Sequence, residues 1–354
     1  GPFFHSLDKQ RMAGCRVEPY KRVLGAKPHI KKLLILKTYF VIIIITNKSS
    51  KTICKDNIMA IKEIECKSAI NRISNSRLPY HLDLNVYRGC THGCKYCYAI
   101  YSNRYLQSDN FFGDVFVKTN IVEVLEKELR KKRNKDVINL GSVTDSYQPI
   151  EKKYKIMPEI LKLMIKYEQP VIISTKSDLI LRDIELIDEL SRLTYVNIAS
   201  TITVMDDDRR KLIEPGSVSS KRRVDMLEEM KRTKASRAIH TMPIMPYITD
   251  DRENLEEIFA HGKDIDINYI LTGPLNLKGD TKKVFMDFVK NYFPDEYENI
   301  KNVYGKGAYV SGEYKEEMYK KINDVRRKYE VSGNYMKGIR DFKKSIEVKQ
   351  LSLF

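Results

Sequence analysis

The sequence predicts an α/β fold: a partial parallel (β/α)6 barrel, similar to a TIM barrel, with a helical C-terminal extension. Two observations carry this prediction. Between residues 82 and 292, short apolar runs alternate six times with amphipathic segments of helical spacing. Strands that alternate in this way with helices form a parallel sheet whose faces the helices cover. After residue 292 the chain is polar and helical in pattern, with two breaks that contain glycine.

Each of the six units pairs one predicted strand with one predicted helix. The first strand follows from the period-two run LDLNVY, and the first helix from the spacing of Ile121, Val124, Leu125 and Leu129. We expect the strands at 82–87, 137–140, 170–174, 195–203, 238–245 and 268–272, and the helices at 121–132, 156–167, 181–193, 221–234, 254–263 and 281–292. In such barrels the functional residues lie at the C-terminal ends of the strands.

The barrel domain is expected at 59–292 and a helical cap at 293–349. Residues 1–58 differ from the rest, with twelve Lys or Arg against three Asp or Glu. Their apolar run, 33–45, is shorter than the roughly 20 residues that span a bilayer. We expect this extension to be dispensable, and we expect no membrane association.

The net charge of +16 suggests a polyanionic partner such as nucleic acid, although composition alone is a weak indication. Six cysteines are present, and the three outside the main motif show no disulfide-framework spacing. A reducing, cytoplasmic compartment is therefore expected.

The most informative stretch is a C-x3-C-x2-C run formed by Cys90, Cys94 and Cys97. Thiolates are soft ligands for iron or zinc. Three ligands on a four-iron cluster leave one iron open, and S-adenosylmethionine (SAM) is the cofactor that uses such an opening. The alternative is a zinc site in which His92 supplies a fourth ligand. A ligand two residues after the first is sterically cramped, which favours the cluster.

Five stretches in order carry a family resemblance: GCTHGCKYCYA (89–99), GSVTDSYQPIE (141–151), STKSDLILRD (174–183), LIEPG (212–216) and MPIMPYITD (242–250). Together they resemble the radical SAM superfamily, and within it the spore photoproduct lyase family. The resemblance implies that the three cysteines bind a 4Fe–4S cluster, whose fourth iron chelates SAM. An electron from a donor such as flavodoxin or ferredoxin would then cleave SAM to a 5′-deoxyadenosyl radical that acts on nucleic acid, with DNA lesion repair as the expected outcome.

The same resemblance suggests residues that bind SAM. Thr144, Asp145, Lys176 and Ser200 follow or end successive strands, where hydroxyls and a lysine suit the methionine carboxylate and the ribose. Tyr96 is expected to pack near the adenine.

One departure from the family concerns the hydrogen-atom donor. Spore photoproduct lyase uses a cysteine after its second strand, and Ser142 occupies that place here. An O–H bond is much harder to break homolytically than S–H, and no cysteine follows Cys97. Tyr98 matches a tyrosine of the family's relay and is the other candidate. The lesion therefore need not be the spore photoproduct.

The chain ends in QLSLF, which resembles the pentapeptide by which bacterial proteins bind the DNA polymerase sliding clamp. Gln350 would form hydrogen bonds, while Leu351, Leu353 and Phe354 belong to the same extended peptide. Packing of these apolar residues on the protein's own surface is the alternative.

Two basic runs, 209–211 and 221–223, are candidates for phosphate contacts near the barrel mouth. Two further functions stay open: a radical SAM enzyme that modifies RNA or a peptide, and a zinc-stabilised nucleic-acid-binding protein without catalysis.

Overall fold

The computed structural model describes residues 60–73, 78, 80–105, 110–131 and 135–351. The strands are β1 Ile61–Ile64, β2 Ile70–Arg72, β3 Leu82–Leu84, β4 Tyr87–Arg88, β5 Val115–Lys118, β6 Ile138–Leu140, β7 Val171–Thr175, β8 Val196–Thr201, β9 Ser236–Ile244 and β10 Tyr269–Pro274. The helices are α1 Ile121–Lys131, α2 Glu151–Tyr154, α3 Ile156–Lys166, α4 Ile184–Leu193, α5 Asp207–Ile213, α6 Ser220–Glu229, α7 Arg252–Asp264, α8 Asp280–Tyr292, α9 Tyr297–Tyr304, α10 Gly312–Tyr329 and α11 Lys337–Leu351.

The large sheet confirms the predicted partial barrel. Its seven strands run in the order β10-β9-β8-β7-β6-β3-β2, and every pair except β2 with β3 is parallel. The six parallel strands are the six predicted units. Within the described residues, β10 and β2 each have one strand neighbour, so this barrel is open along one side.

The predicted strand 82–87 is wrong in one respect, because it is divided between two sheets. The chain leaves the large sheet at Asn85, whose side-chain oxygen accepts hydrogen bonds from the amides of Val143 (2.9 Å) and Thr144 (3.3 Å). Tyr87 and Arg88 then pair antiparallel with β5, in a small sheet ordered β1-β5-β4. This small sheet directs the chain into the cysteine loop.

An apolar core fills the space between the large sheet and its helices. Leu82, Ile138, Val171, Ile198 and Ile239 contribute to it from successive strands, and all are buried. Their sequence neighbours face the opposite side of the sheet, because side chains alternate along a strand. Full burial of each such side chain stabilises the fold by roughly 1.5–3 kcal/mol.

The helical C-terminal extension predicted from the sequence is present as α9, α10 and α11. The Arg326 guanidinium of α10 lies 5.3 Å from the centre of the Phe259 ring of α7. In α11, Phe342 stacks on Tyr195 with ring centres 5.8 Å apart, and Ile339 is buried beside Ile172. Since Tyr195 and Ile172 lie at the starts of β8 and β7, α11 covers the N-terminal end of the barrel.

The predicted extension 1–58 lies outside the described residues, and the division into domains stays a prediction. In the described part of the chain, no helix combines the length and the apolar character needed to cross a membrane.

Candidate active site

The three cysteines occupy a loop between β4 and a short 3-10 helix, Tyr98–Tyr105. The loop begins at Gly89, whose φ of +75° suits glycine; a Cβ there would lie 2.0 Å from the Asp114 carbonyl oxygen. The Cys90 amide donates to the Phe111 carbonyl (3.2 Å), and the Cys97 amide donates to the Cys94 carbonyl (3.1 Å). Both ends of the loop are thus fixed by backbone contacts.

A second segment, 213–217, packs directly against the cysteine loop. The Lys95 amide donates to the Ile213 carbonyl and the Gly216 amide donates to the His92 carbonyl, each at 2.9 Å. A Cβ on Gly216 would lie 2.2 Å from the Thr91 carbonyl oxygen. Only glycine permits this approach, so contact with the cysteine loop explains the glycine of the LIEPG stretch.

His92 links this segment to the loop after β6. Its Nε2 lies 2.9 Å from Asp145 Oδ2, and its Nδ1 lies 3.0 Å from the Gly216 carbonyl oxygen. Both ring nitrogens therefore have protein partners, which argues against His92 as a zinc ligand. Among the residues that the structure describes, no group of three or more His, Cys, Asp or Glu side chains is placed to hold a single metal ion.

Asp145 is a buried hub between the cysteine loop and β7. It accepts hydrogen bonds from the Thr175 hydroxyl (2.8 Å), the Tyr147 amide (2.8 Å) and the Lys176 amide (2.7 Å), besides its contact with His92. Burial by itself raises the pKa of Asp145, but His92 and these donors outweigh it and hold the pKa at about 2. The predicted contact of Asp145 with SAM stays a prediction.

The chemistry of the three thiols fits a metal cluster. Burial raises the pKa of Cys90, Cys94 and Cys97 to about 12, so on their own they would stay protonated at neutral pH. A thiol becomes a thiolate in such a place when a metal supplies positive charge. A 4Fe–4S cluster takes one thiolate per iron.

Beside Cys94 lies a buried ionic cluster that the sequence did not reveal. Glu214 and Arg223 form an ion pair at 2.6 Å, and neither side chain exposes any surface. The Tyr96 hydroxyl donates to Glu214, and the Lys176 ammonium lies 5.7 Å from the centre of the Tyr96 ring. Burial raises the pKa of Glu214, but Arg223 and Lys176 outweigh it and lower that pKa.

The side chains predicted to bind SAM differ in whether they already form hydrogen bonds within the protein. The Ser200 hydroxyl donates to the Thr175 carbonyl (2.8 Å), and the Thr144 hydroxyl donates to the Gly89 carbonyl (2.6 Å). The hydroxyl protons of Ser200 and Thr144 are therefore both held in hydrogen bonds within the protein. Lys176 differs, because its ammonium makes no hydrogen bond within the described part of the chain. Burial lowers the pKa of Lys176, but the facing Cys94 and Glu214 outweigh it and raise that pKa.

The two candidate hydrogen-atom donors are hydrogen-bonded to one small cluster. The Tyr98 hydroxyl donates to the Ser142 carbonyl. The Ser142 hydroxyl donates to Asp83 Oδ2 (2.7 Å), which also accepts from the Asn85 amide group (2.6 Å). Burial raises the pKa of Asp83, although Ser142 and Asn85 oppose this. Asp83 and Asn85 were missed because they lay within the predicted strand.

The two basic runs proposed for phosphate contacts divide into two buried and four exposed side chains. Arg223 is fully buried against Glu214, and Arg210 is 6% exposed with Asp207 and two backbone carbonyls as partners. The remaining members, Arg209, Lys211, Lys221 and Arg222, each form ion pairs on the surface. Burial removes Arg210 and Arg223 from the candidates for phosphate contacts, and such contacts by the four exposed members stay a prediction.

Comparison with known proteins places the chain in a family. Residues 84–259 match the model of the radical SAM superfamily. An uncharacterised protein of Methanocaldococcus jannaschii is 31% identical over 242 residues, covering 68% of this chain and 87% of that protein. An uncharacterised protein of Mycobacterium tuberculosis (strain ATCC 25618 / H37Rv) is 28% identical over 297 residues, covering 82% and 87%.

Among solved structures, a mutant of spore photoproduct lyase shares the fold. The TM-score is 0.56 at 13% sequence identity, covering 76% of this chain and 79% of the other. Another mutant of spore photoproduct lyase was solved with AdoMet and a dinucleoside spore photoproduct bound, and it has the same TM-score. This likeness concerns the fold. The match of residues 84–259 to the superfamily model, with the cysteine motif at the mouth of an open (β/α)6 barrel, establishes that the chain is an enzyme of the radical SAM superfamily.

Proposed function

We propose that this radical SAM enzyme acts on nucleic acid, and that its reaction is DNA lesion repair of the spore photoproduct lyase type. The observation that carries the proposal is the position of Tyr98. It directly follows Cys97, the residue is 57% exposed, and its hydroxyl donates to the Ser142 carbonyl, where burial raises the pKa of the hydroxyl. A tyrosine so placed can exchange a hydrogen atom with a substrate held at the mouth of the barrel.

When bound, the cluster and SAM supply a 5′-deoxyadenosyl radical through one-electron cleavage of a C–S bond. The protein contributes binding, orientation and exclusion of water. Cys90, Cys94 and Cys97 hold the cluster. Lys176 supplies a cation for the methionine carboxylate, since its ammonium faces Cys94 and makes no hydrogen bond within the described residues.

Between the two candidate donors, the hydrogen bonds favour Tyr98. The Ser142 hydroxyl is half-buried, and its proton is already donated to the buried Asp83 carboxylate. The Tyr98 ring belongs to a more exposed residue, although its hydroxyl lies against the Ser142 carbonyl and burial raises the pKa of that hydroxyl. Its phenolic O–H is also the weaker bond, so it returns a hydrogen atom to a substrate radical more readily.

The rim of the mouth supports a nucleic-acid substrate. The loop 305–309 is held beside the end of β10 by hydrogen bonds from the Leu277 amide to the Ala308 carbonyl (2.7 Å) and from Lys282 to the Gly305 carbonyl (3.0 Å). It presents Tyr309, which is 57% exposed with the Lys278 ammonium 5.2 Å from its ring centre. Aromatic side chains next to cations bind bases and phosphates in single strands.

Anaerobic reconstitution followed by assays on ultraviolet-irradiated DNA tests the proposal. The reconstituted enzyme with SAM and a reductant should alter irradiated oligodeoxynucleotides and form 5′-deoxyadenosine. Cys94→Ala should lose both activities, while Cys66→Ala, a change outside the motif, should keep them. Turnover of RNA or of a peptide, with DNA unchanged, would refute the assignment to DNA repair. Stoichiometric zinc without iron would refute the radical chemistry.

Two protein partners belong to the proposal. A flavodoxin or ferredoxin would supply the electron. The sliding clamp would bind the C-terminal peptide through Gln350, Leu351, Leu353 and Phe354. The backbone of Gln350 and Leu351 ends α11, while their side chains and residues 352–354 lie outside the described part. Deletion of 350–354 should abolish co-migration with the clamp and leave the iron content unchanged; persistent co-migration would rule this partner out.

A further inference from the structure

The interior of the barrel is polar where barrels of this kind are usually apolar. The strand register aligns inward-facing residues in layers. The first layer, followed along the strand register, consists of Asp83, Asn139, Ile172, Asn197 and Ser236, and its Asp83 end contacts Ser142. Closed barrels fill such layers mainly with branched apolar side chains. The polar residues here are partly paired with each other, as in the Asn197 amide to Ser236 hydroxyl contact of 3.0 Å.

The next two layers lead up to the cysteine loop. The middle layer aligns Ser174, Ala199, Ala238 and Tyr269, of which three are small. The upper layer aligns Thr201, His240 and Leu271, and Lys176 directly follows the end of β7 beside it. His240 therefore faces the interior at the height of Lys176.

The imidazole of His240 forms no hydrogen bond of ordinary length with the residues that the structure describes. Its Nε2 lies 3.5 Å from the Tyr269 hydroxyl, beyond the usual 2.7–3.2 Å range. The Tyr269 hydroxyl donates instead to Asn197 Oδ1 at 3.1 Å. The residues that the structure describes offer the ring no closer polar partner.

The imidazole is also uncharged at neutral pH. Burial lowers the pKa of His240 to about 4, and the nearby Lys176 acts in the same direction. A neutral imidazole carries one donor and one acceptor. The upper layer thus offers one cation, Lys176, and one neutral donor–acceptor ring, with the tilted Tyr269 ring 6.0 Å from the imidazole centre.

We propose that His240 is a substrate-binding residue, which hydrogen-bonds the polar edge of a nucleobase drawn into the barrel beside the cysteine loop. This deepens the proposed function and rests on it. The neutral ring suits a base edge better than a phosphate, because a phosphate would favour a cation. Enzymes that act on a base withdraw it from the stack and read it by such hydrogen bonds. Tyr269 supplies an aromatic wall at the same place.

The test compares ligand binding by the reconstituted, unaltered protein with binding by three variants; SAM is titrated first, and the dinucleotide is then titrated with SAM at saturation. The variants are His240→Leu, His240→Gln, and His81→Gln as an exposed control. The probes are SAM alone and thymidylyl-thymidine, with and without ultraviolet irradiation. His240→Leu should weaken binding of the dinucleotide by about three- to tenfold, the usual value of a lost hydrogen bond. His240→Gln should restore part of the loss, and His81→Gln should have no effect.

SAM binding and 5′-deoxyadenosine formation without substrate should be unchanged in every variant. Weaker SAM binding in His240→Leu would overturn the proposal, because His240 would then belong to the cofactor site. Dinucleotide binding that is equal in all proteins would also overturn it, while leaving the proposed function standing. If the unaltered enzyme binds neither dinucleotide but alters a peptide or RNA, the proposed function fails, and the base-binding role fails with it.

Discussion

Arg223 Nη2 lies 2.6 Å from Glu214 Oε2, and neither side chain exposes any surface. The arginine also donates to the Thr201 carbonyl (2.6 Å) and to the Ser217 hydroxyl (2.6 Å). The pair therefore ties α6, the end of β8 and the segment that packs on the cysteine loop. The Tyr96 hydroxyl donates to Glu214, which connects the ion pair to the cysteine loop itself.

Glu214→Gln should strongly destabilise the protein, because it leaves the buried Arg223 charge uncompensated. We expect a loss of about 3–5 kcal/mol in the free energy of unfolding, measured by urea titration. The matched control is Glu330→Gln, which removes a surface pair with Lys263 whose side chains are 79% and 53% exposed; this should cost less than about 1 kcal/mol. Adding Arg223→Met to Glu214→Gln should recover stability. Equal losses in the two single variants would contradict this account.

Gly216→Ala should separate the 213–217 segment from the cysteine loop. The new Cβ would lie 2.2 Å from the Thr91 carbonyl oxygen, and backbone must move to relieve the clash. We expect a loss of about 1–3 kcal/mol in unfolding free energy and less iron per chain after reconstitution. Gly312→Ala is the control, since a Cβ there meets nothing within 4 Å. Iron content equal to that of the unaltered protein would show that the contact is not required.

The stability of the protein should depend on His240 in acid. Its pKa in the folded protein is about 4, below the ordinary 6.5, so the unfolded chain binds the proton more tightly. Stability is thus lost as pH falls from about 6.5 towards 4. Between pH 7 and pH 4.5 the unaltered protein should lose about 2 to 3 kcal/mol more than His240→Gln. Urea titrations at the two pH values measure this, and parallel losses would refute it.

Tyr98→Phe should uncouple SAM cleavage from product formation. The ring is kept and the hydroxyl that donates to the Ser142 carbonyl is lost. We expect the altered nucleic-acid product to fall by about tenfold or more, while 5′-deoxyadenosine still forms. Tyr101→Phe is the control, because Tyr101 is 45% exposed on the same short helix. A larger loss of product in Ser142→Ala than in Tyr98→Phe would make the serine the donor.

The sequence predicts the barrel well because its evidence is local. Alternation of apolar and polar residues reports directly on which side of a strand or helix is buried. The six parallel strands follow from that pattern. The small sheet was missed because its pairing joins β5 to β1 and β4, which lie far from it in sequence. The period-two pattern continues through Asn85, so it gives no sign that the chain changes sheets there. The change is made by the Asn85 side chain, which accepts a hydrogen bond from the loop after β6.

The cysteine motif could be found from the sequence alone, whereas the contacts that support its loop could not. Cysteine spacing identifies the metal-binding loop without any tertiary contact. The partner of His92, by contrast, is Asp145, which lies 53 residues away. Arg223 looked like a surface cation because it stands in a basic run, and only the fold brings it to Glu214. Long-range pairs of this kind leave no periodic trace in a single sequence.

The contacts that shape the cysteine loop also set the order in which the site can be built. His92 meets Gly216 across 124 residues, and the Thr281 hydroxyl reaches the Cys97 carbonyl across 184 residues. A nascent chain that has emerged only as far as β7 therefore holds three thiols without either support. Contacts so distant in sequence form late and slowly in folding. The cluster should accordingly be inserted after synthesis, into a chain completed at least through Thr281.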